Sequence, residues 1–243
     1  MTEEEKRDIE QYIADTVTER PYTFTVGKTR LFLYPVTLGK MYRLRPLMES
    51  LGINLQSFQQ NVSLEALRLA KEKQDVCLTI ISYHTYKEKE KIDNPRSIAA
   101  RKGFLKKNIS DEDIASLLIM LLTADKTAII MHHLGIDKEQ DRLASVMRIK
   151  SKDDKNNLTF GGQSVFGSLI DAACERYGWT KEYVVWGIDY TSLRLMLADK
   201  INSVYCTDDE MKKIPAKLRS QSGAVLNADD KKTMEQIKNM NWR

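Results

Sequence analysis

The chain is 243 residues long, 42% apolar and 30% charged, with a formal net charge of +4. That composition supplies a hydrophobic core for one large domain or two small ones and excludes fibrous, collagenous and wholly disordered classes. A balance so mildly basic gives no broad electrostatic footprint for nucleic acid.

The opening Met1-Thr2-Glu3-Glu4-Glu5-Lys6 is acidic where a secretory signal is basic and then apolar. The longest apolar run, residues 117–122, falls far short of a membrane span of roughly 18 residues, so no membrane partner is expected. Thr2 and Glu5 form a capping box, and Ile9, Tyr12, Ile13 and Val17 follow at helical spacing, predicting an amphipathic arm over residues 1–20. Residues 22–26 and 30–35 are β-rich runs joined by Gly27-Lys28-Thr29, which predicts a hairpin with a three-residue connection. Leu38, Met41, Tyr42, Leu44 and Leu47 then predict a helix that stops at Gly52. Ser63 is the expected cap of a longer helix reaching about Tyr83, with a polar middle at Lys71-Glu72-Lys73-Gln74.

Residues 84–108 carry eight Lys and Arg against three acidic residues, and Pro95 interrupts them, which predicts a solvated connection with a short helix after the proline. Ser110 with Asp113 opens the most apolar helix, residues 114–122, and helices over 125–134 and 137–149 follow, separated by Gly135. The helical domain with its hairpin therefore covers 21–150, and the polar run 151–157 marks a boundary. Beyond it, residues 158–205 form an aromatic helical module, with a helix end at Gly178 and caps at Thr180 and at either Asp189 or Thr191. Residues 206–243 are a flexible tail, closing on an amphipathic helix lined by Met234, Ile237, Met240 and Trp242. The fold expected is mainly α, with one N-terminal β-hairpin and a smaller C-terminal aromatic helical module.

Catalytic and metal chemistry find little support. His132 and His133 are adjacent and point about 100° apart on a helix, so they share an ion poorly. Cys77, Cys174 and Cys206 lack any ligand spacing and read as reduced thiols. Gly161-Gly162 opens a helix without the lysine of a phosphate-binding loop. No catalytic residue, metal or cofactor is expected, and the chain is read as a non-enzyme. Two binding surfaces remain. Arg96, Arg101, Lys102, Lys106 and Lys107 could follow phosphates in a basic helical nucleic-acid-binding protein, although acidic neighbours favour a solvated face. Trp179, Tyr183, Trp186 and Tyr190, spaced by four, three and four residues, place four rings along one side of a helical path and make the leading partner-binding surface.

Phe160-Gly161-Gly162, Leu169-Ile170-Asp171-Ala172-Ala173, Tyr177-Gly178-Trp179-Thr180, Tyr183-Val184-Val185-Trp186 and residues 193–198 together resemble the helical region of tail assembly chaperones and related small tail proteins of tailed bacteriophages. The resemblance covers about 45 residues, roughly a fifth of the chain, and its motifs are structural. It implies a chaperone or tail-associated binding protein that holds apolar segments of a tail-tube or tape-measure protein until assembly. It also implies residence in the host bacterial cytoplasm, with retention in the virion or self-association into a homo-oligomer left open. The aromatic residues, the terminal helix and the adaptable Met side chains near Met120 and Met131 are the surfaces such a role would use.

Overall fold

The Thr2 hydroxyl accepts from the Glu5 amide while the Glu5 carboxylate accepts from the Thr2 amide, so the expected capping box does start α1 (Glu3–Val17). The structure, a computed structural model, describes residues 2–153 and 162–219. The protein is mainly α, with a two-stranded antiparallel hairpin near its N-terminus. Strands β1 (Tyr22–Val26) and β2 (Thr29–Leu33) pair in register from Tyr22 with Leu33 to Val26 with Thr29. Because Thr29 is already paired, the connection is two residues rather than the three expected. Gly27 supplies the positive φ (59°) that the first position of such a tight loop needs. Val26, Leu31 and Leu33 turn the buried face of the hairpin onto the helices.

Thr37 caps α2 (Leu38–Leu51), which ends at Gly52 with φ 64°. Asn54 caps α3 (Leu55–Gln60), and Asn61, not Ser63, caps α4 (Val62–Glu72) by accepting from the Leu64 amide. The polar stretch 71–74 is a break: α5 (Gln74–His84) is a separate helix. After the short α6 (Lys89–Ile92), Asn94 and Pro95 start α7 (Pro95–Asn108), so the expected solvated connection is mostly a 14-residue helix packed on α5. Then come α8 (Asp111–Leu122), opened by the Ser110–Asp113 capping box, α9 (Thr127–Leu134), stopped at Gly135, and α10 (Ile136–Asp153). Within the stretch Asp111–Leu134, 24 residues long, an 18-residue window reaches a mean hydropathy of 1.8. The stretch nevertheless falls into helices of 12 and 8 residues, each shorter than the roughly 20 that cross a bilayer. Ile114 and Leu118 of α8 instead join Leu69, Leu78, Ile81 and Leu105 in the main core, each burial contributing about 1.5–3 kcal/mol.

Past residue 161 the chain makes a π-helical turn (Phe166–Ile170), α11 (Asp171–Tyr177), a second π-helical turn (Tyr183–Gly187) and α12 (Tyr190–Ala198). Gly178 ends α11, as its position predicts, and Asp189 rather than Thr191 caps α12. The smaller helices α13 (Asp208–Lys213) and α14 (Ala216–Arg219) follow.

These elements fall into two compact units, and the division corrects the expected one. Residues 162–201 belong with 2–136, while 202–219 group with 137–153. The aromatic stretch is not a module of its own, because its short helices bury their apolar faces around Leu38 and Met41 of α2. Backbone bonding seals the join, with Thr37 bridged to Asp189 and the Tyr190 amide donating to the Val36 carbonyl at 2.7 Å. In the second unit the Arg142 guanidinium donates to the Leu218 carbonyl at 2.9 Å, and Lys150 to that of Tyr205. Met234, Ile237, Met240 and Trp242 lie outside the described residues.

Candidate binding site

The join between α2 and the segment before α12 forms one side of a cavity of about 580 Å³. Its walls come from six places in the first unit: Tyr12 and Thr16 of α1, Tyr22 of β1, Met41, Tyr42 and Met48 of α2, His84 of α5, Leu118, Leu121 and Leu122 of α8, and Tyr190 of α12. Each contributor follows from local pattern. The inner face of the amphipathic α1 turns Tyr12 and Thr16 inward, and the i, i+7 spacing of Met41 and Met48 puts both on one face of α2. The α1 wall has no fully buried residue. It is attached by Tyr12, by Glu10 at 2.8 Å from His133 of α9, and by the Ser192 hydroxyl donating to the Thr16 carbonyl at 3.3 Å.

Two buried polar side chains, Asp189 and His84, line this apolar space, and a third, Lys40, is buried next to His84. Asp189 is 5% exposed; its Oδ1 accepts from the Ser192 amide at 3.0 Å, whereas Oδ2 has no partner among the described residues. Burial pushes its carboxyl above the usual range, against the opposing bonds from Ser192. Lys40, 1% exposed, reaches only the Pro35 carbonyl among the described residues, at a long 3.4 Å. Desolvation brings it down to about 7, although Glu88 pulls the other way. His84, beside it, is lowered to about 3 by its own burial and then by the charge of Lys40, so its ring is neutral at pH 7. Its carbonyl accepts from the Tyr34 amide at 2.9 Å, which ties the end of the hairpin to α5.

The four rings expected on one helical side go to three places. Tyr177 stacks on Trp179 with centroids 4.6 Å apart, and Trp179 meets the exposed Tyr183 edge-on at 5.0 Å. Trp186 turns onto α2, and Lys89 stands 5.8 Å from its ring. Tyr190 faces the cavity. The one-sided path fails because the second turn is π-helical and Ile188 is extended, so the helical phase is lost between Tyr183 and Tyr190. Trp186 lies so close that a Cβ on Gly39 would stand 2.7 Å from the indole. Gly39→Ala is therefore expected to cost about 1–3 kcal/mol and to displace the indole, seen as a lower urea midpoint and a shifted tryptophan emission.

Of the basic residues, Lys102 pairs with Asp75 at 3.0 Å and Arg101 sits 5.1 Å from the Tyr86 ring, while Arg96, Lys106 and Lys107 are exposed. Two of the five are thus turned to partners on this chain. Lys40 and His84 were not among the candidate residues, although one signal was readable. A lysine in the first turn of a helix, set between apolar neighbours, opposes the helix dipole. The chain matches no protein-family model, no curated protein and no solved structure.

Proposed function

We propose that this is a non-enzymatic binding protein, a tail assembly chaperone or tail-associated protein of a tailed bacteriophage, that takes an apolar segment of a tail-tube or tape-measure protein into the cavity between α1, α2 and α12. One observation carries the reading: a space of about 580 Å³ walled by tyrosines, methionines and leucines, the size and lining of a site for an apolar guest. Methionines adapt to varied shapes, and tyrosines add contact area at low entropic cost, which suits reversible holding. The partner class comes from the resemblance carried by the aromatic stretch, which supplies Tyr190 to the cavity.

The test is co-expression with the tube and tape-measure proteins of the same genome. The wild-type chain is expected to keep one of them soluble and to co-purify with it. That association should hardly change between roughly 50 and 200 mM salt, where phosphate binding would fall by orders of magnitude. Met48→Glu, which puts a charge into the cavity wall, is expected to reduce co-purification at least about tenfold. Unimpaired capture by that variant would remove the cavity from the mechanism.

A further inference from the structure

We propose that the segment held in the cavity carries a lysine or arginine whose charged end pairs with Asp189 Oδ2. This rests on the reading that the cavity receives an apolar segment, and it adds the chemistry that selects the segment. Half of the Asp189 carboxylate is satisfied by the start of α12, and the other half is buried with no partner among the described residues. A buried acceptor left in that state is costly, and a group that supplies donors to it recovers the cost on binding. The cations along the cavity walls are engaged elsewhere: Arg20 lies 3.4 Å from Asp15, Arg45 is 3.0 Å from Glu49, and Lys126 sits 5.5 Å from the Tyr12 ring. His84 is neutral at pH 7 and adds no charge.

A lysine or arginine suits the remaining space for a second reason. Its alkyl stem is apolar and runs well along Met41 and Met48, while its charged end needs a carboxylate. A neutral hydroxyl or amide would meet the hydrogen bond and leave the negative charge uncompensated. The cavity exceeds one such side chain, so apolar neighbours of the cation enter with it.

The experiment uses the full-length protein and three synthetic amphipathic peptides of leucine and methionine that differ at one central position, which is lysine, acetyl-lysine or norleucine. Decylamine serves as a fourth probe. Wild type is expected to bind the lysine peptide at least about tenfold more tightly than the other two, the worth of one charge-assisted bond. Asp189→Asn retains an equally good helix cap, so α12 still starts in place. In that variant the preference should fall to near one, with the norleucine peptide bound as well as by wild type. Equal binding of the three peptides to wild type, or a preference that survives Asp189→Asn, overturns the pairing and leaves apolar capture standing. Binding of none of the peptides overturns apolar capture and the pairing together. Binding of decylamine alone overturns both in favour of a small amphiphilic amine.

Discussion

Lys40→Met is expected to stabilise the protein at pH 7 by roughly 3–5 kcal/mol, a large part of the total for a domain of ordinary stability. The amine is 1% exposed, makes one long bond to a carbonyl and has its pKa lowered to about 7, so folding takes a charged group out of water and recovers little. Met keeps the length and apolar stem while removing the charge. The pH dependence fixes the sign. Above about pH 10.5 the amine is neutral in both states and costs nothing. As pH falls from there to about 7, the unfolded chain takes up a proton that the folded chain refuses, so the wild type loses up to about 1.4 kcal/mol per pH unit. The advantage of the variant should thus shrink steadily from pH 7 to 10, measured as urea midpoints for both proteins. A variant that is less stable, or an advantage independent of pH, would mean that Lys40 is charged and well paired.

The second large effect is on the acid side. His84 has its folded pKa depressed to about 3, so its contribution is intact above about 6.5 and is lost as pH falls from there towards 3. At full slope the loss is about 1.4 kcal/mol per pH unit, enough over that window to consume much of the stability of a domain. Glu65 adds to the acid loss, because the Arg68 guanidinium holds its carboxyl low, while the raised carboxyl of Asp189 acts the opposite way. His84→Gln is expected to flatten the dependence between pH 6 and 4 and to shift acid unfolding to lower pH, followed by far-UV circular dichroism. An unchanged acid profile would refute the assignment to His84. The two residues are coupled: without the Lys40 charge the ring accepts its proton more readily, so Lys40→Met should reduce the acid loss as well.

What the sequence revealed and what it hid divide along the range of the interactions concerned. Thr2, Ser110, Gly52, Gly135 and Gly178 were legible as helix starts and stops because a cap is decided within four residues. Asn61 was missed in favour of Ser63 since both residue types cap, and only the position of the first turn chooses between them. The phase of the four aromatic rings was not legible, because a continuous 3.6-residue period assumes one unbroken helix, and the π-helical turn and the extended Ile188 break it. The cavity was hidden for a different reason. Its walls come from residues 12 to 191, and no local pattern states that α1, α2 and α12 converge. Tyr190 was named for its place in a spacing, and it reached the candidate site through the bond between its amide and the Val36 carbonyl.

The construction of α1 sets an energetic hierarchy within the first unit. A helix that closes one side of an apolar chamber without burying a single residue completely is held by much less free energy than α4, α5 or α8, whose leucines and isoleucines make up the core. Detaching it exposes little that was dry, so the chamber can open by a local excursion that costs a fraction of global unfolding. In the proposed binding role, a bulky guest is expected to enter and leave while the rest of the unit stays folded, with loading and release set by the docking of one peripheral helix.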